Sequence, residues 1–451
     1  MSEPRIATVP IRILRRALAR LGIIPGDTGP GKGNPSDAEM RRRTFAIQLA
    51  IMRRALDKHG GVAVHQGPRD DDWYLFRPHQ VLVLQEDVAT LNGFFLDNQD
   101  RFVGTGSVRE ELVNVVRYQL PDSVDDRDVP DLLDELDDEI GEGRVRPDHV
   151  MFVTPGWGRL CPATEPQEPP SADPRPALND DARAGAGVRV SVVDTGWWEP
   201  AGRTIPWLDD VEGDPEFVNP VDIHAYAGHG TFVSGVVRCM APATAIEVEG
   251  FLPHGGAVYE SDICRELNEA LTDEDHPDLI SISAGTYTRK NLGLLAFEAL
   301  ARRHRLIDGE KAPLVIGAAG NDTSTREFYP AAYRWVLGVG ALDDDGTVCD
   351  FSNTGRWVDV YAHGRDLVNA FPDGAYTCHE PLHAGEVRHF KGMAQWSGTS
   401  FATPLVSGLI AARMSAGGST PREARDELVA EGKHLMDPRA GAIIALGPPF
   451  V

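Results

Sequence analysis

An α/β fold, with a mainly parallel sheet carrying helices on both faces and a small α+β domain ahead of it, is predicted for this 451-residue chain. The first observation is a series of apolar runs, Val188–Val193, Leu279–Ser283, Leu314–Ala318, Val336–Ala341 and Val358–Ala362, with helical patterns between several of them, notably Ser261–Leu271 and Leu292–Arg305. Continuously apolar strands alternating with helices belong to a parallel sheet buried on both faces. The second is the texture before residue 155, where short β-like and helical segments mix. The third is the stretch 161–180 between them, with prolines at 162, 166, 169, 170, 174 and 176. Such a composition does not build a packed core and reads as an extended linker.

In chain order, residues 1–35 form a basic arm and a turn-rich segment, with arginines at 12, 15, 16 and 20. These arginines interrupt any signal-peptide core, so the expected location is cytoplasmic. Residues 36–155 form the α+β domain, propeptide-like or regulatory. It holds a helix over Asp37–Lys58, strands over Gly61–His65, Trp73–Phe76 and Gln80–Leu84, a helix over Asp87–Leu96 and a strand over Val113–Leu120. An acidic helix, Val129–Ile140, has proline in its first turn and leads to a strand, His149–Val153. The linker is assigned to 156–186 and the main domain to 187–451, whose last helix is expected over Pro421–Leu435.

The hydrophobic share of 42% and aromatic share of 7% suit a globular core. Lys and Arg number 44 against 68 Asp and Glu, a net charge of −24. So acidic a chain is a poor partner for nucleic acid or an anionic membrane. No apolar run is long enough to span a bilayer. The five cysteines, Cys161, Cys239, Cys264, Cys349 and Cys378, are scattered and odd in number. They make neither a disulfide framework nor a zinc site and read as buried thiols in a reducing compartment.

Four short stretches carry chemistry. Asp194 ends the apolar run V-R-V-S-V-V-D and is followed by Thr195 and Gly196, at the strand end where functional groups collect in open α/β sheets. His229 opens a small-residue helical stretch, G-H-G-T-F-V-S-G, in which Gly230 lets backbone approach the imidazole. Asn321 ends L-V-I-G-A-A-G-N, where its amide is free of bulky neighbours and suits a developing oxyanion. Ser400 follows Gly398 and Thr399 at the start of an apolar helix, where backbone N–H groups and the helix dipole favour negative charge. Taken singly, each also reads as a turn, a cap or a structural residue.

Together, in the order Asp, His, Asn, Ser, the stretches V-V-D-T-G, H-G-T, A-A-G-N and S-G-T-S-F-A-T-P resemble the subtilisin-like serine proteases. S-I-S-A-G at 281–285, Y-P-A-A-Y at 329–333 and V-D-V-Y-A at 358–362 agree, and the resemblance covers about residues 187–437. It departs at Phe401, where the family usually has methionine, and altered packing behind the nucleophile is expected there.

The resemblance implies a subtilisin-like domain and a serine endopeptidase with Asp194, His229 and Ser400 as its triad. Asn321 and the Ser400 N–H would hold the oxyanion. Ser283, Ala284 and Gly285 would pair with the substrate backbone, and Gly285 with Ala318, Ala319 and Gly320 would wall the pocket for the residue before the cleaved bond. Those small residues suggest a roomy pocket. The partners expected are a protein or peptide substrate and, as in many members of the family, the chain's own N-terminal domain as inhibitor. No cofactor is needed for the chemistry. Structural calcium, common in the family, is left open at Asp209–Asp210 and Asp343–Asp345, where solvated loops are the simpler reading. A processing protease for one partner's leader peptide, and a catalytically inactive binding module, are the competing readings.

Overall fold

A computed structural model describes residues 37–67, 72–104, 106–153 and 163–447. The basic arm and the Gly156–Cys161 stretch lie outside them. The C-terminal half is built on a nine-stranded sheet. Its order is Lys433–Asp437, Gly441–Leu446, Val360–His363, Val336–Leu342, Leu314–Ala318, Leu279–Ile282, Arg189–Val193, Ala245–Glu249 and Glu212–Gly213. All neighbours pair in parallel except the first two, which form a hairpin. The central strands are apolar on both faces because helices cover both. His229–Met240 and Thr399–Gly417 pack together on one side, and Glu260–Ala270 and Leu295–Arg303 pack together on the other.

Two expectations are corrected here. The helix expected over Pro421–Leu435 runs only over Pro421–Glu431, with Thr420 and Glu423 forming a capping box at its start. Residues from Lys433 turn into the edge hairpin, whose outer strand is mostly exposed and so lacks a clear apolar alternation. The strand Ala245–Glu249 was not expected. Its residues alternate exposed and buried, with Ile246 and Val248 inward, and the run is too short and charged to stand out.

The N-terminal domain is an antiparallel sheet with helices. After the helix Asp37–Leu56, the strands are Ala63–Gln66, Trp73–Leu84, Ser107–Glu111, Val115–Gln119 and Val145–Val153. The two strands expected at Trp73–Phe76 and Gln80–Leu84 are one strand, with a register shift between Phe76 and Val81 and a left-handed His79 at φ 55°. The expected Val113–Leu120 strand is half of a hairpin whose other half, Ser107–Glu111, is too charged to read as a strand.

Side-chain alternation gives this sheet two working faces. Phe76, Val81, Val83 and Val116 meet the helices Val88–Asp97 and Val129–Ile140 through Leu91, Phe94, Phe95, Leu132, Leu133 and Leu136. Leu82, Val115, Met151 and Val153 belong instead to the core of the C-terminal half. The two halves therefore share apolar packing, and they share a sheet as well. Val145–Val153 pairs antiparallel with Ala257–Tyr259 on one side and with Ala284–Gly285 on the other, so these two short strands complete a seven-stranded sheet.

Buried charges stitch the same boundary. Arg77 lies 3.0 Å from Asp148, and Asp148 accepts from the Ser261 N–H at 3.0 Å and hydroxyl at 2.7 Å. Burial pushes the Asp148 carboxyl up to about 6. Beside it His149 lies 3.1 Å from Glu260, both fully enclosed, and burial drives the imidazole down to about 3. Arg146 pairs with Glu298 at 2.8 Å and Arg289 with Asp137 at 2.8 Å.

From Ala163 the proline-rich segment lies along the C-terminal half. Glu165 is buried and accepts from the Tyr376 hydroxyl at 2.9 Å and from the backbone of His379 and Glu380. Gln167 and Arg175 bridge to Gln395 and Val368. The four described cysteines, Cys239, Cys264, Cys349 and Cys378, are buried and unpaired. Among the described residues no helix is long and apolar enough to cross a membrane.

Candidate active site

Asp194 follows the last residue of the strand Arg189–Val193, and His229 is the first residue of the helix His229–Met240. The chain brings them together, with His229 Nδ1 at 2.7 Å from Asp194 Oδ1 and both side chains fully buried. The same oxygen accepts from Thr195 N at 2.8 Å, and Thr195 Oγ1 accepts from Gly230 N at 3.2 Å. The aspartate is thus fixed from its own turn, and the turn is tied to the first residues of the histidine helix.

Gly230 is required for this closeness, since a Cβ there would stand 2.5 Å from Gly196 O. Glu216 accepts at 2.8 Å from the N–H of Gly228, the residue before the histidine. Glu216 as a whole is half-buried, but its carboxyl end is enclosed, and burial pushes it up to about 8. An aromatic wall completes the setting. Trp396 stands edge-on to the imidazole at 5.4 Å, and Phe401 lies 5.2 Å away while packing on Phe232 at 4.6 Å. Phe401 therefore packs against the histidine. His229 Nε2 is buried and makes no hydrogen bond among the described residues.

Ser400 is the second residue of the helix Thr399–Gly417, with Pro404 still near its start. Its Oγ lies 3.4 Å from Ser283 O, and Ser283 Oγ donates to Ser400 O at 3.0 Å. Asn321 Oδ1 accepts from Thr399 N at 2.9 Å and from Thr399 Oγ1 at 3.1 Å. With the oxygen end held by Thr399, the donating end of the amide is directed away from that backbone. Asp194 and Asn321 thus follow the carboxyl ends of two parallel strands of the same sheet, and Phe401, next to Ser400, lies 5.2 Å from the His229 ring.

Ser283 leads into the short strand Ala284–Gly285, where Ala284 pairs with Val153 and Gly285 with Phe152 of the N-terminal domain. Ala318, Ala319 and Gly320 lie at the end of the next strand, beside Asn321. The buried ring of Phe328 lies close to both Gly285 and Gly320. Three features escaped the sequence reading: Phe328, the second pairing edge Ala257–Tyr259, and the grip of Thr399 on Asn321. Phe328 immediately precedes Y-P-A-A-Y, so its place beside a recognisable stretch was the available signal.

Among the described residues no group of three or more His, Cys, Asp or Glu is arranged to hold a metal ion. At the acidic clusters considered for calcium, Asp210 pairs with Arg238, Asp343 with Arg365, and Asp344 with Arg175.

A parallel α/β sheet that sets an aspartate at a strand end, a helix-opening histidine on it and a serine in the first turn of a buried helix defines a subtilisin-like domain. The model of the Subtilase family matches residues 185–439, more than half of the chain, and the chain belongs to that family. A thermophilic serine proteinase of Bacillus sp. (strain AK1) is 31% identical over 256 residues, 53% of this chain and 55% of that protein. The chain thus spans little more than half the length of that relative. An intracellular serine protease of Paenibacillus polymyxa is 31% identical over 261 residues, 52% of this chain and 69% of that protein. The crystal structure of fervidolysin from Fervidobacterium pennivorans, a keratinolytic enzyme related to subtilisin, superposes with a TM-score of 0.54 at 19% identity. The superposition covers 84% of this chain and 61% of fervidolysin, so the likeness in fold reaches beyond the family's segment into the N-terminal part.

Proposed function

We propose that the chain is a serine endopeptidase in which Ser400 is the nucleophile, His229 the general base and acid, and Asp194 the group that orients the imidazole. The observation that carries this reading is the 2.7 Å contact of His229 Nδ1 with Asp194, which leaves Nε2 as the basic nitrogen at the site. Ser400 Oγ bonds to the peptide carbonyl carbon as its proton passes to His229 Nε2. The C–N bond then breaks, and the leaving amine takes that proton. Water, deprotonated by the same imidazole, releases the acid and restores the serine. Asn321 and the Ser400 N–H stabilise the oxyanion formed at each stage. Hydrolysis of an unfolded protein by the wild type, absent from the Ser400→Ala and His229→Ala proteins, is the test. Turnover by Ser400→Ala at the wild-type rate would remove this nucleophile.

The N-terminal domain acts, in the same reading, as an intramolecular inhibitor. Its last strand occupies the edge where a substrate backbone would pair, with Phe152 and Val153 opposite Gly285 and Ala284. β-Pairing of this kind binds extended peptides through main-chain hydrogen bonds. An uncut chain as active as one freed of residues before 154 would contradict it.

A further inference from the structure

We propose that Phe328 fills the pocket for the residue before the cleaved bond and makes this protease select small side chains there. The proposal rests on the peptidase reading above and deepens it. The pocket's walls are Gly285, on the strand that follows Ser283, and Ala318–Gly320, which lead into Asn321. Neither wall contributes bulk, so what lies between them decides what fits. A Cβ on Gly285 would stand 2.3 Å from Phe328 Cε1, and one on Gly320 would stand 3.3 Å from Phe328 Cδ1. Neighbouring atoms on one edge of the ring therefore lie close to both walls, and the ring is fully buried.

The ring is also held there. Tyr287 meets it edge to face at 5.1 Å, and the Tyr287 hydroxyl donates to Asp322 at 2.7 Å and accepts from Asn353 at 3.1 Å. Asn353 in turn donates to Ala319 O, on the opposite wall, at 2.8 Å. From the substrate side Phe152 lies 6.2 Å from the ring. Swinging Phe328 aside would require Tyr287 to give up a doubly bonded hydroxyl position in a buried site. A second large ring in the same space would overpack it, and a charged side chain would meet an apolar surface with no partner. Glycine, alanine and serine meet neither obstacle.

The experiment uses the full chain and peptides identical but for alanine, leucine or phenylalanine before the cleaved bond. The wild type is expected to favour alanine over phenylalanine in kcat/KM by at least about 10-fold. Phe328→Ala is expected to reverse the order, and Phe328→Leu to move the ratio part of the way, which keeps the test decisive if the smaller residue prevents folding. A wild type that prefers phenylalanine, or an alanine-to-phenylalanine ratio left unchanged by both substitutions, would overturn the assignment of Phe328. Absence of turnover of every peptide, together with absence of a fluorophosphonate adduct on Ser400, in the intact chain and in the chain cut between residues 153 and 163 alike, would instead overturn the peptidase reading and this one with it.

Discussion

At Gly230 a Cβ would stand 2.5 Å from Gly196 O and 3.2 Å from Asp194 Cβ. Both contacts lie in the turn that holds the aspartate, so a methyl group there pushes the histidine helix away from its partner. Gly230→Ala should therefore lower kcat/KM by about 10²-fold, the scale of a 1 Å misplacement at a reacting centre. Its thermal unfolding should stay cooperative, and a variant of full activity would show that the close approach is not needed. Asn321→Ala should lower kcat by about 10²–10³-fold with KM little changed, the range known from subtilisin's own oxyanion amide. A raised KM with unchanged kcat would make Asn321 a ground-state binding group. These residues were legible in the sequence because each stands at the end of an apolar or small-residue run. Phe328 was not, because an aromatic residue in a loop gives no sign of the two glycines it will meet in the fold.

Individual strands and helices differ in how far they could be read. Val129–Ile140 was read with its observed bounds because proline starts it and leucines recur on one face. The central parallel strands were read because burial on both faces leaves them continuously apolar. Edge strands such as Ser107–Glu111 and Lys433–Asp437 were not, since an exposed or charged face erases the alternation. Val145–Val153 is longer than expected because it carries Arg146, Asp148 and His149, whose partners lie in the other half.

That strand makes a pH prediction. Asp148 is raised to about 6 on folding from an ordinary 3.8, so the folded form holds an extra proton between these values. Its contribution is complete below about pH 4 and is lost as pH rises through 6. His149 acts oppositely, because its lowered value makes stability fall as pH drops from 6.5 towards 3. In the Ser400→Ala background, Asp148→Asn removes a charge that raises His149, which pushes the imidazole lower still and leaves it neutral in the folded form between pH 4 and 6. The variant should gain about 1.4 kcal/mol per pH unit on its parent between pH 4 and 6, by proton linkage. Denaturant unfolding across that range checks it, and parallel stability curves would contradict it.

Across the whole molecule, the two halves share one sheet, and the residues that flank 154–162 on either side both meet backbone near candidate site residues in sequence. Val153 ends on the pairing edge at Ala284, and Ala163 N donates to Ser397 O, three residues before Ser400. Residues 154–162 connect these points. Within the linker, Ala177–Asp181 is tied down, since Asn179 donates to Cys239 O at 2.7 Å and to Met240 O at 2.9 Å. Self-cleavage is accordingly predicted within the stretch that includes Gly156–Cys161, with the chain from Ala163 retained by the buried Glu165. Intact masses should show two pieces for the wild type and one for Ser400→Ala. A cut after residue 176 would contradict this placement. The linker's extended character was legible from its prolines. Its attachment was not, because Glu165 finds its partners more than 200 residues further along the chain.

The central claim is that Ser400 is a nucleophile activated by His229. Peptide-mapped mass spectrometry after fluorophosphonate treatment tests it most directly. The account predicts a single adduct, on Ser400, that disappears in the His229→Ala protein. An adduct on a different serine, or one on Ser400 that forms equally well without His229, would contradict it.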